Sequence, residues 1–154
     1  MDFAVFICTH GRAKNQITYA QLRQSGYTGK VYFVVDDADT QLNDYKELYG
    51  DDVLVFSKKD YYLKQDTFIN KPIEKCVLYA RNACIDFARN MGIEYFACCD
   101  DDIKSFAYKL VRGNKLISKR AVKLDRFLNA VVEFMKATDF RILSAVEEGQ
   151  YIGG

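Results

Sequence analysis

The chain has 154 residues, 49% of them hydrophobic and 28% charged, with one proline and a net charge of +1. This composition excludes a disordered or collagen-like polymer and points to one globular domain, residues 1–154, that buries roughly two thirds of its unfolded surface without help from disulfides or a structural metal. The near-zero charge argues against a general electrostatic grip on nucleic acid, although a local basic patch stays open.

The first apolar run, residues 3–8, is short and rich in β-branched and aromatic side chains, and it stops at Thr9-His10-Gly11-Arg12, as a buried strand does on meeting a loop. Residues 13–25 give a weaker helix before Gly26. The run 31–35 is apolar on both parities, as in a strand covered on both faces of a parallel sheet, and it ends in Asp36-Asp37-Ala38-Asp39. Thr40 suits the N-cap of a helix carrying Leu42, Tyr45, Leu48 and Tyr49, with Gly50 as its stop. Residues 53–56 predict a third strand. The stretch 57–71 lacks a period and reads as a long surface connection.

Pro72 fits the first turn of a longer helix with the stripe Cys76, Ala80, Ala83, Cys84, Phe87, Ala88 and Met91, ending at Gly92. A fourth strand, 95–99, runs into Asp100-Asp101-Asp102. Segments 106–111 and 115–118 flank Arg112-Gly113-Asn114 as a β-hairpin would. Residues 118–138 carry the cleanest helical spacing, at Leu124, Phe127, Leu128, Val131, Val132 and Met135. The run 140–146 predicts a last strand, before Glu147 and Glu148.

The cysteines Cys8, Cys76, Cys84, Cys98 and Cys99 are odd in number and lack C-x-x-C spacing, so they are expected reduced and buried. His10 is the single histidine, which leaves no zinc ligand set. No apolar run reaches about 18 residues and no signal peptide is evident, so a cytoplasmic location without membrane contact is expected.

Alternating strands and helices predict an α/β fold whose ligands bind beyond the carboxyl ends of the strands. Three polar loops converge there: Thr9 to Arg12, Asp36 to Asp39, and Asp100 to Asp102. Adjacent carboxylates repel, and a cation offsets that cost, so the apolar strand entering the triad favours a Mg²⁺ or Mn²⁺ site over a plain acidic turn. On an extended backbone Asp100 and Asp102 point the same way, toward one metal. The cluster Asp36, Asp37 and Asp39 reads equally as turn chemistry or as acceptors for a base or ribose. Thr9 and Arg12 precede a helix start that favours phosphate. Arg81 and Asn82 lie off the apolar stripe of their helix, where Arg81 could meet a diphosphate, Asn82 could orient a loop and Tyr79 could offer a stacking face; a solvated helix face is the plainer reading.

The run Ala80-Arg81-Asn82-Ala83, then Gly92-Ile93-Glu94-Tyr95-Phe96 and the strand into Asp100-Asp101-Asp102, resembles glycosyltransferases of the GT-A fold, notably family 2. The likeness spans about residues 3–103. It implies a Rossmann-like, mostly parallel sheet flanked by helices, with 1–103 as the nucleotide-sugar-binding half and 104–154 as the start of an acceptor half, C-terminally truncated. Asp100 and Asp102 would then bind Mn²⁺ or Mg²⁺ on the diphosphate of a nucleotide sugar, a UDP-sugar by preference. Thr9, Arg12, Asp36 or Asp37, Arg81, Asn82 and Asp101 would line the donor site.

More narrowly, residues 7–12, 34–37, 80–83 and the terminal Ile152-Gly153-Gly154 are similar to the TET-associated glycosyltransferases of bacteriophages, which implies transfer to hydroxymethylpyrimidines in DNA. Glu147 and Glu148 are the late acids available as the acceptor's base. A nucleotidyltransferase is the nearest rival, against which the missing glycine-rich repeat counts. A truncated domain that binds nucleotide without turnover is the non-enzyme alternative.

Overall fold

A computed structural model of the chain describes residues 3–64 and 77–146. Four strands, β1 (Phe3–Cys8), β2 (Lys30–Asp36), β3 (Val53–Phe56) and β4 (Tyr95–Asp100), form one sheet in the order β3-β2-β1-β4, every neighbouring pair parallel. This is the α/β architecture expected for a Rossmann-like GT-A fold. β1 is a central strand with layers on both faces, so all six of its residues are buried and neither parity can be polar.

Alternation divides the core in two. Val5, Ile7, Val31, Phe33 and Val35 pack with Leu22, Tyr45, Leu124 and Val132, which lays α1 (Ile17–Gln24), α2 (Leu42–Tyr49) and α5 (Leu124–Lys136) on one face. Ala4, Phe6, Cys8 and Val34 pack with Tyr79, Ala80, Ala83, Cys84 and Ala88 of α4 (Val77–Asn90) on the other. Small residues on α4 let that helix approach the sheet closely. Strand order reverses beside β1, since β2 and β3 extend to one side of it and β4 to the other. A crevice therefore opens between the carboxyl ends of β1 and β4.

Several local expectations change. The first part of 57–71 forms a short helix, α3 (Lys58–Lys64), because Tyr61 and Tyr62 pack against the second core and the Tyr61 ring meets Phe56 edge-on at 5.7 Å. Residues 65–71, Pro72 and Cys76 lie outside the described residues. The hairpin forms as β5 (Ala107–Arg112) and β6 (Lys115–Arg120), paired over six positions, and this ladder claims residues 118–120 that the helical period had included. The helix α5 begins only at Leu124; Phe127 and Leu48, both placed on apolar stripes, are about half exposed. Residues 140–146 form no strand, since no ladder partner among the described residues reaches them, and they are exposed throughout. Cys8 and Cys84 are buried and reduced as expected, whereas Cys98 is exposed.

Besides the packing of Leu124 and Val132, hydrogen bonds tie the start of α5 to the turn after α1. Leu124 N donates to Ser25 O at 2.9 Å, and Asp125 accepts from Thr28 N and Oγ1 at 3.0 and 2.7 Å. Gly26 has φ +82° and no room: a Cβ there would stand 2.9 Å from the Val122 carbonyl oxygen. Among the described residues no helix is long and apolar enough to cross a membrane.

Candidate functional site

The loop after β1 is tied to its neighbours by a directional chain of hydrogen bonds. The Tyr45 hydroxyl accepts from Arg12 N at 2.9 Å and meets Thr9 Oγ1 at 2.8 Å. Thr9 Oγ1 in turn lies 2.8 Å from Asp101 Oδ2 and 2.8 Å from Gln16 Nε2. A carboxylate can only accept and the Gln16 amide nitrogen can only donate, so the single Thr9 proton goes to Asp101 and the Tyr45 proton goes to Thr9. Every member points toward Asp101, which polarises the chain in one direction. Burial pushes the Tyr45 phenol above its usual range, opposed by its bonds to Thr9 and Arg12; it stays protonated and can serve as that donor.

The triad itself is clamped from both sides. Thr18 Oγ1 of α1 donates to Asp100 O at 2.6 Å and accepts from Ile103 N at 2.9 Å, and Thr18 N donates to Asp101 O at 3.2 Å. Arg12 Nη1 reaches Asp101 Oδ1 at 2.8 Å and Asp102 Oδ2 at 3.7 Å. From α4, Arg81 Nη2 bonds both Asp100 oxygens at 3.1 and 3.2 Å, and that hydrogen bond holds its guanidinium above the usual arginine range. Two cations thus flank three carboxylates at the strand-order switch. The Asp101 side chain is only 13% exposed, against 46% for Asp100 and 60% for Asp102. Asp101 is the anchor, and its neighbours keep oxygens open to solvent.

Beyond β2 the acids divide in the same way. Asp36 is buried and accepts from His10 Nδ1 at 2.7 Å and Ala38 N at 3.1 Å, with Lys58 Nζ at 3.3 Å. Since the carboxylate only accepts, Nδ1 of His10 carries the hydrogen. Asp39, also buried, takes Gly11 N at 2.7 Å and Gln41 N at 2.8 Å. Gly11 turns its N–H into that carboxylate with φ +66°, a backbone that L side chains rarely adopt. Asp37 is exposed, and its Oδ1 accepts Lys58 N at 3.2 Å. Of the pair expected to face a nucleoside, Asp36 has its oxygens engaged and Asp37 is the open one.

Thr9, Arg12, Asp100, Asp101, Asp102 and Arg81 therefore converge. Asn82 does not join them: it lines a separate cleft with Tyr61, Lys64, Ile85, Asp86 and Arg89. Tyr79 is 2% exposed and belongs to the core, which removes it as a stacking face. Glu147 and Glu148 lie outside the described residues. Sequence reasoning missed Gln16, Thr18, Tyr45 and Lys58 as supports of the site; Tyr45 showed only as a position on a helical stripe. Beneath Arg81, Cys8 and Cys84 sulfurs stand 3.7 Å apart. Hydrogen bonding to Cys8 and Cys98 together with burial pushes the Cys84 thiol up, while the bond from Cys84 lowers Cys98.

Among the described residues no three His, Cys, Asp or Glu side chains converge as a metal cage. Asp100 and Asp102 present hard oxygen donors with solvent-facing positions, a set that fits Mg²⁺ or Mn²⁺ when water and diphosphate oxygens complete the shell. Arginines alone beside such carboxylates also suit a diphosphate, as bidentate donors.

A family model described as TET-Associated Glycosyltransferase matches residues 3–153. No curated protein and no solved structure gave a match.

Proposed function

The chain belongs to the TET-associated glycosyltransferase family and is a glycosyltransferase, and from that premise we propose that its donor is a nucleotide-diphosphate sugar, UDP-linked by preference, bound at the crevice between β1 and β4 with Mn²⁺ or Mg²⁺. The observation that carries this reading is the pair Arg12 and Arg81, which face the Asp100 to Asp102 carboxylates from opposite sides at 2.8 and 3.1 Å. Cations held in this way are available to phosphate oxygens without reorganising the backbone.

Transfer of a sugar leaves a diphosphate whose charge must be stabilised as the glycosidic bond breaks. Asp100 and Asp102 would hold the divalent cation, which when bound supplies Lewis-acid stabilisation of that diphosphate. Arg12 and Arg81 add donors to the same oxygens. Asp101 keeps Arg12 in place, and the Tyr45–Thr9 chain keeps Asp101 in place. Asp37, the exposed acid beyond β2, is available to a ribose or base N–H. As acceptor we propose a hydroxymethylpyrimidine in DNA, a reading supported by the family's association with TET.

Calorimetric titration with UDP-glucose and other nucleotide sugars, each with Mn²⁺ and with EDTA, tests the donor site. Metal-dependent binding is expected in the native chain and a loss of about tenfold or more in Asp102→Ala, consistent with a group worth above about 1.4 kcal/mol. Full Mn²⁺-dependent affinity in Asp102→Ala would refute the assignment.

A further inference from the structure

The near-neutral charge of the chain is unevenly spread. Between Lys104 and Lys123 lie seven of its 22 Lys and Arg and none of its 21 Asp and Glu, so the remaining sequence is net acidic. Those cations ride on the hairpin, whose second strand is exposed at all six residues. At its tip Arg112 pairs directly opposite Lys115, and like charges in that position destabilise a ladder. Folding alone gives no reason for such a pair. An anion lying across the tip does.

At the base of the hairpin is a cleft of about 380 Å³ whose polar lining is Gln21, Gln24, Lys104, Ser105, Ser118 and Arg120, without a carboxylate. Arg120 Nη2 is held by Gln24 Oε1 at 3.0 Å, which leaves further guanidinium donors for a ligand. Lys104 follows the triad by two residues, so this cleft begins where the candidate donor site ends.

We propose that the cleft and the hairpin form a track for the sugar-phosphate backbone of duplex DNA along both faces of the ribbon, with Ser118 and Arg120 of the cleft on one face and Arg112, Lys115 and Lys119 on the other. Cations spread from the cleft to the tip over a ladder of about 17 Å, at about 3.4 Å per residue, address several phosphates rather than one. A two-stranded ribbon of this kind also matches the width of a major groove. A bilayer is a poorer partner, because the apolar pairs are split: Val111 with Leu116 lie on one face of the ribbon and Leu110 with Ile117 on the other. Neither face is apolar throughout, as a membrane-lying element requires. The inference deepens the acceptor side of the proposed function and rests on that reading.

The test is fluorescence anisotropy of an unmodified labelled duplex with the full chain across a salt series, comparing native protein with Arg112→Gln/Lys115→Gln and with Lys104→Gln/Arg120→Gln. Both variants change exposed side chains; matched thermal melts and unchanged UDP-sugar affinity establish that each is folded. Each double variant should bind about tenfold more weakly at low salt and lower the slope of log K against log salt by about two, since each phosphate contact contributes about one. Native-like affinity and slope in both folded variants would overturn the proposal, as would binding to phosphatidylserine vesicles with none to the duplex. Hairpin-dependent duplex binding without sugar transfer would uphold the track and refute the DNA acceptor. Transfer to DNA by variants that bind it normally would do the reverse.

Discussion

In the parallel sheet the buried carboxylates have specific donors: Asp36 has His10 and Ala38 N, Asp39 has Gly11 N and Gln41 N, and the nearly buried Asp101 has Thr9 and Arg12. The segment from Ala107 onward is built differently. Its β6 strand is wholly exposed, Phe127, Phe134, Phe140 and Ile142 face solvent to 45% or more, and it joins the sheet through Leu124 and Val132 in the first core and through hydrogen bonds at Ser25 and Thr28. The contrast separates two kinds of surface. A site whose charges are already satisfied is pre-organised and needs no partner to hold its shape, whereas a ribbon carrying charge of one sign is suited to meeting one.

The change expected to break this division most severely is Gly26→Ala at the junction. A methyl 2.9 Å from the Val122 oxygen, on a left-handed backbone, should cost about 2 kcal/mol or more in urea denaturation. Amide exchange should also accelerate in α5 before it does in β1 or β2. Uniform protection across both regions in that variant would mean that the junction is more extensive than its hydrogen bonds indicate.

A smaller effect is expected inside the sheet half. Tyr45→Phe leaves the part-buried Arg12 N without its acceptor and removes one donor to the buried Thr9. The expected loss is about 1–2 kcal/mol, with weaker nucleotide-sugar binding beside it. Unchanged stability would show that the chain of hydroxyls is incidental.

Tyr27 gives an effect that is absent at neutral pH. Burial raises its phenol from 10.0 to about 12, and its hydroxyl donates to Lys30 O at 3.0 Å. The unfolded chain would ionise Tyr27 near pH 10 while the folded chain does not. Its stabilising contribution is therefore complete below pH 10 and lost as pH rises toward 12, at no more than about 1.4 kcal/mol per pH unit. Tyr27→Phe should flatten the alkaline limb of stability against pH; an identical limb would place the titration elsewhere.

The same contrast explains what could be read from the sequence. Strands β1 and β2 were legible because burial on both faces removes polar residues from both parities, β3 and β4 because their runs are apolar although only partly buried, and acids after β1's neighbours marked the sheet edge. Arg12 and Arg81 could be proposed for the edge on residue type alone. Their partners could not: the Arg81 to Asp100 pair spans 19 positions and the Arg12 to Asp101 pair spans 89, distances over which no local spacing carries information. The carboxyl-terminal region misled for a different reason. Residues 140–146 have the composition of a strand, but a strand exists only with a ladder partner, and none pairs with them among the described residues. Periodicity likewise ran α5 back to residue 118, where pairing with β5 prevails.

The central claim is that the glycosyltransferase binds its donor at the crevice between β1 and β4. An amide chemical-shift map of the chain titrated with UDP and Mg²⁺ tests it most directly. The account predicts perturbations concentrated at Gly11, Arg12, Asp101, Asp102 and the Arg81 turn of α4, with the hairpin unmoved. Shifts confined to the hairpin cleft or to the Tyr61 and Asn82 cleft, with the β1 and β4 ends silent, would contradict it.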